Sequence, residues 1–208
     1  SMNTDLVIKN DTGIKEKAKD RKDILTGSVE KSISSNQGVA EMHSIVFSEI
    51  TIPWEPDLME KWMKEFYAKW MSIPYKKDRK EYKEHPENFG TSMLGIDEEE
   101  FDHLNQTLDM PVSKNDFLAG KVCIVYRNGV ELADKDLIGK TVTCTLYRNL
   151  KKSKSFTVSG VTDDSYYTAL LGYPPTLIVS DQVVKAFDAK AFILKTGIRY
   201  KKEYDRRT

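Results

Sequence analysis

The chain has little of what most protein chemistry requires. Its only cysteines, Cys123 and Cys144, are too few and too far apart for a zinc site, and each lies inside an apolar, strand-like run. They read as two small buried side chains; a disulfide between them would need neighbouring strands with facing Cβ atoms. Histidine is scarce too, at positions 43, 85 and 103 only, and none stands in an H-E-x-x-H spacing. Glycine patterns that cradle phosphates, G-x-x-x-x-G-K-[ST] and G-x-G-x-x-G, are missing, as is the G-x-S-x-G of a nucleophile elbow. These absences point away from an enzyme, and no cofactor is expected.

Charge of one sign is not in excess. Lys+Arg and Asp+Glu both number 32. The field that draws a polyanion from a distance is therefore lacking, and nucleic acid is not an expected partner. No apolar run approaches the roughly 20 residues that cross a bilayer, and the N-terminus has no basic-then-apolar signal pattern. Two readings remain, a cytoplasmic protein or a piece without its membrane helices. Ser1-Met2, which resembles the remnant of a cleaved tag, favours the second.

What is present suits a folded domain. At 208 residues with 39% hydrophobic, 31% charged and 10% aromatic side chains, the chain can bury one sizeable core, or two small lobes sharing one. Residues 5–9 read as a strand, and 10–22 as a polar loop. Ser28 is placed to cap a helix running to Asn36, with Gly38 ending it, and Val39 to Ile52 as the next strand, with His43 inside it. Pro56 suits the first turn of a helix. From there Met59, Trp62, Met63, Phe66 and Trp70 recur at spacings of three and four, one apolar stripe that Pro74 stops. The stripe is core by default. Trp62, Phe66, Tyr67 and Trp70 are nevertheless the candidate partner or ligand surface, because large aromatics on one face can form a groove for a peptide or lipid tail, with Trp54 in reach to extend it.

Residues 76–87 mix both charges densely and read as a solvated segment. Phe89 to Ile96 reads as a strand, and Asp97 to Glu100 as an acidic first helical turn with Phe101 and Leu104 on its buried side. Glu99 and His103, one turn apart between Asp97 and Asp102, are the nearest approach to a metal pair, but the helix dipole alone explains an acidic start, so no metal site is expected. His43 reads as an ordinary strand histidine with no carboxylate or nucleophile suggested beside it. Asp163-Asp164 reads as turn chemistry. The second half of the chain is β-rich: strands over 121–127, 141–148, 155–162 and 176–179, a helix from Asp181 to Phe187, a strand from Ala191 to Thr196, and a polar tail from Arg199 of helical character. Helices inserted between strands, with strands grouped late, give an α+β fold. The expectation is one domain, 1–208, with 53–88 a helical insertion or lobe and 121–198 a β-rich part.

The segments TDLVIKN, GVAEMHSIVF, MLGIDEEEFDHL, MPVSKNDFLAGKVCIVYRNG, LIGKTVTCTLYR, KSFTVSGVTDD, PPTLIVSDQVVKAF and AFILKTGIRY, in that order, resemble the first extracytoplasmic segment of FtsX-like ABC transporter permeases, the MacB-like periplasmic core. The family pattern matches at Gly95-Ile96-Asp97, Phe117 to Val125, Gly139 to Val142 and Phe156 to Val161. The resemblance implies a mixed α/β lobe with a smaller β-rich lobe. It also implies a place at the cell membrane on the extracytoplasmic face, between two membrane helices. The implied partners are a cytoplasmic ABC ATPase reached through those helices, a second permease copy or partner permease, and a peptide, lipoprotein or cell-wall related substrate. The domain would transmit movement without making or breaking a bond. One departure is that the tail stops at Thr208 without the helix and strand expected to lead back to the membrane. The alternative is a free-standing extracellular ligand- or protein-binding module. A tethered domain would bring both ends of the fold together on one side, whereas a free module would not need to.

Overall fold

A computed structural model describes residues 4–9, 26–52, 56–71, 84–85, 90–127, 129–130, 132–169 and 175–204, the side chains of 56, 57, 66, 70, 71 and 204 excepted. The expected loop over 10–22, Trp54, Pro74, Phe89, nearly all of the charged segment 76–87 and the last four residues lie outside the described set.

Eight strands form one mixed sheet: β1 (Leu6–Lys9), β2 (Val39–Thr51), β3 (Gly90–Ile96), β4 (Val122–Tyr126), β5 (Thr141–Leu146), β6 (Asn149–Thr162), β7 (Thr176–Ser180) and β8 (Phe192–Tyr200). Their order is β1-β8-β2-β3-β7-β4-β6-β5. The sheet then closes on itself. β5 returns to the end of β2 with Ile50 opposite Leu146 and Thr51 opposite Thr145, and the two threonine hydroxyls meet at 3.0 Å. Six strands from β2 to β5 thus form a ring, and β8 with β1 extends as an open wing from the other half of β2. β2 is long enough, at 13 residues, to serve both.

Alternation along the strands sorts side chains to two faces. Val46, Ile50, Met93, Cys123, Val125, Val142, Cys144, Phe156, Val158, Leu177 and Val179 share the inner core. That core is completed by Leu58, Met59, Trp62 and Met63 from α2 (Pro56–Phe66), which runs on into a π-helical turn over Tyr67–Met71. Both cysteines are free thiols buried in it, so they are not bridged. Ile45, Phe47, Leu94, Ile96, Ile124, Tyr126 and Ile178 face the other way, under Phe101 and Leu104 of α3 (Glu98–Asn105) and Phe117 of α4 (Lys114–Leu118). Phe101 and Phe117 stack with ring centres 4.3 Å apart. α6 (Asp181–Phe187) lies so close to β3 that a Cβ on Gly95 would stand 2.7 Å from the Asp181 Cα, a contact only glycine permits.

The α+β class and most elements agree with the sequence. Three details differ. The first helix, α1 (Gly27–Ser34), is capped by Thr26, whose hydroxyl accepts from the Val29 amide, and not by Ser28. The last strand continues to Tyr200 because β2 pairs with it from Phe192 to Tyr200 and β1 flanks it over 195–198. Two short helices, α4 and α5 (Asp134–Leu137), fall in segments with too few residues to display a period.

Candidate functional site

Two carboxylates and two imidazoles meet where β2 emerges from under α3. Glu41 and His43 are two apart on β2, so both side chains leave on the face that also carries Ile45 and Phe47. Glu99 and His103 are four apart on α3, one above the other on the helix surface. Asp97 fixes the helix start: its Oδ1 accepts from the Glu100 amide at 2.8 Å. Its other oxygen, Oδ2, lies 2.7 Å from His43 Nδ1.

His43 is 3% exposed. With Nδ1 donating to Asp97, the imidazole turns Nε2 towards Glu41 Oε2 at 3.5 Å and Glu99 Oε2 at 3.6 Å, and it has no hydrogen-bond partner among the described residues. His103 Nε2 lies 3.4 Å from the same Glu41 oxygen. The two rings stand edge to face, 6.1 Å between centres. Arg199 of β8 holds the other Glu41 oxygen. Burial opposes charge on His43, but the hydrogen bond and field of Asp97, with Glu100 and Glu41, more than offset it and raise its pKa. Burial would likewise raise the Glu41 carboxyl, yet Arg199, His103 and His43 outweigh it and hold it below the ordinary value.

Behind this cluster Glu100 is 1% exposed, and the Tyr167 hydroxyl donates to its Oε1. Burial pushes its pKa up, and Oε2 has no partner among the described residues. Lys195 of β8, also buried, donates to the Tyr166 carbonyl and lies 4.5 Å from the centre of that ring.

The sequence reading of His43 therefore needs correction. It is flanked by carboxylates, which were not visible because Asp97 and Glu99 reach it only through the packing of α3 on β2. The available signals were two local spacings, Glu41-x-His43 at the strand period and Glu99-x-x-x-His103 at the helix period. Asp164 accepts from the Tyr166 amide at 2.9 Å, the turn role expected of it, whereas Asp163 pairs with Arg127.

The aromatic stripe is divided. Trp62 is fully buried among Met59, Met63 and the strands of the ring, so it belongs to the core and offers no surface. Tyr67 is half-buried against the same core. The side chains of Phe66 and Trp70 lie outside the described set.

No family model matches the chain, and no curated protein matches it. Solved structures similar to it include the periplasmic region of MacB from Actinobacillus actinomycetemcomitans, at 13% identity and a TM-score of 0.48 over 96% of this chain and 76% of that one. Another is the extracellular domain of the noncanonic ABC-type transporter YknZ from Gram-positive bacteria, at 14% identity and a TM-score of 0.43 over 85% and 73%. Among the described residues no helix is long and apolar enough to cross a membrane.

Proposed function

We propose that the chain is a non-catalytic extracytoplasmic domain of an FtsX-like ABC transporter permease, which carries movement generated by a cytoplasmic ATPase to the outside of the membrane. The observation that carries this reading is the pairing of the first and last strands. β1 and β8 run antiparallel with Leu6 opposite Ile198, the Asp5 amide donates to the Ile198 carbonyl, and the Tyr200 amide donates to the Asp5 carboxylate at 2.7 Å. Residues 5 and 200 thus leave the same end of the wing side by side, as a domain tethered through both ends requires. The ordered segments that resemble the family support the same reading, because they fall on β1, β2, β3–α3, β4, β5, β6, β7–α6 and β8 of one continuous sheet.

In this reading a second permease copy, or a partner permease, stands beside the domain, and a peptide, lipoprotein or cell-wall related substrate is what it moves or binds. On the same reading the helix over 56–66 is an insertion on the strand framework, and Tyr67, half-buried against the core, is the described part of its candidate partner surface.

The experiment is topological. Both native cysteines are buried, with thiol pKa values pushed far up by burial, so neither competes for a thiol reagent. Ser34, exposed on α1, accepts a cysteine. In cells making the full-length permease with Ser34→Cys, a membrane-impermeant maleimide labels the intact cells. Labelling that appears only after lysis would place the domain inside the cell and overturn the reading.

A further inference from the structure

We propose that Glu41, His43 and His103 form a binding site for a zinc-class divalent cation, with Glu99 or water completing the coordination. The inference does not depend on the transporter reading.

The spacing of the donor atoms carries it. Glu41 Oε2 lies 3.5 Å from His43 Nε2 and 3.4 Å from His103 Nε2, and the three atoms are all within 4.8 Å of one another. Bonds of about 2.0–2.2 Å at tetrahedral angles separate neighbouring ligand atoms by about 3.3–3.6 Å, so a cation fits between these donors with small shifts. Two imidazoles with a carboxylate suit zinc and its neighbours in the first transition row; calcium and magnesium prefer oxygen throughout.

The second observation is the buried donor with nothing to bond. His43 is 97% shielded, its Nε2 and the Glu41 Oε2 have no hydrogen-bond partner among the described residues, and each is aimed at the other's side of the same gap. A cation would satisfy both atoms at once.

The outer partners are those a metal site uses. In the neutral ring His43 Nδ1–H donates to the Asp97 carboxylate, which fixes the tautomer that presents the Nε2 lone pair, and Asp97 also accepts from the Glu100 amide. Arg199 does the same for Glu41, occupying Oε1 and leaving Oε2 to the ion. The entrance is open on one side, because the His103 side chain is 37% exposed and Glu99 73% exposed, so an ion has a route from solvent. The exposed Glu98 and Glu99 of the acidic turn add negative potential at that entrance.

A network of ion pairs alone would give the same contacts without binding a metal, and the test separates the two. The metal-free 208-residue chain is titrated with Zn2+ by calorimetry and its thermal midpoint followed, with Mg2+ and Ca2+ as controls; Co2+ absorption reports the ligand field. The expected result is one Zn2+ per chain, a midpoint that rises with Zn2+ and falls back with chelator, no such rise with Mg2+ or Ca2+, and a tetrahedral-type Co2+ spectrum. His103→Ala removes a half-exposed ring and Glu41→Gln keeps the shape of the side chain, so neither dismantles the core. Each should weaken Zn2+ binding by at least about ten-fold, the loss typical when even an outer partner of a metal site is removed, while the metal-free midpoint stays close to that of the parent. Absence of Zn2+ binding to the parent chain overturns the proposal, and so does binding that both variants retain unchanged, which would place the ion elsewhere.

Discussion

The two faces of the sheet are built on different terms. The inner face is enclosed by the ring and filled with aliphatic, thiol and thioether groups around Trp62, with Asp188 buried against Ser48 as a polar exception. The outer face is half covered by α3 and α4, and beside its apolar strip it buries Glu100, His43 and Lys195. Ionisable groups are costly to bury and contribute less to stability than apolar groups of the same size. The enclosed side is thus mostly apolar and serves folding, while the covered side gathers ionisable groups that stability alone does not require.

Substitutions on each face can break or sharpen that contrast. The largest effect is expected from Trp62→Ala, which empties a fully buried indole site and should cost about 3–5 kcal/mol in urea unfolding. Trp62→Phe should cost clearly less, since it also removes an indole N–H that has no partner among the described residues. A loss for Trp62→Ala below about 1 kcal/mol would mean the inner core does not depend on α2.

Asp188→Ala should follow, at about 1–3 kcal/mol, because it leaves the buried Ser48 hydroxyl without the acceptor it reaches at 2.7 Å and removes the part-exposed Arg148 pair. Chemical denaturation of the single variant measures it, and a near-neutral outcome would show that the pair is not coupled to folding.

On the outer face the sign should reverse. Burial, with Lys9 nearby, lowers the Lys195 pKa from 10.5 to about 8. Below pH 8 the folded and unfolded chains both carry the proton, and the penalty is present in full. Between pH 8 and 10.5 the unfolded chain keeps a proton that the folded chain has released, so stability rises with pH across that window. Lys195→Met should therefore be more stable than the parent at pH 7, and its stability should climb less between pH 8 and 10.5. Parallel pH profiles for parent and variant would contradict this. The smallest effect belongs to Thr26→Ala, which removes the cap of a helix with no buried residues and should cost about 0.5–1 kcal/mol.

How far each face was legible follows from the same contrast. Alternation exposes Thr141–Leu146 directly, and a short continuous apolar run exposes Thr176–Ser180, which is buried at every position. The start of α3 was readable because Asp97 and three glutamates announce a cap. β8 was cut short because Gly197 and Arg199 interrupt its apolar pattern, and what keeps them in a strand is pairing, with both β1 and β2 at Gly197 and with β2 at Arg199. His43 was misjudged for a related reason. Its partners are 54 and 56 positions away, brought in by a helix packing on a strand, and no local period encodes that meeting.

The shared strand β2 has a mechanical consequence. Separating the tails at residues 5 and 200 sideways loads the β1–β8 ladder one bond at a time, as a zipper opens, so the wing peels at low force. Pulling Tyr200 outward along the axis of β8 instead loads the β8–β2 bonds together in shear, and β2 passes that tension straight into the closed ring. The molecule is thus compliant to one direction of pull and stiff to the other.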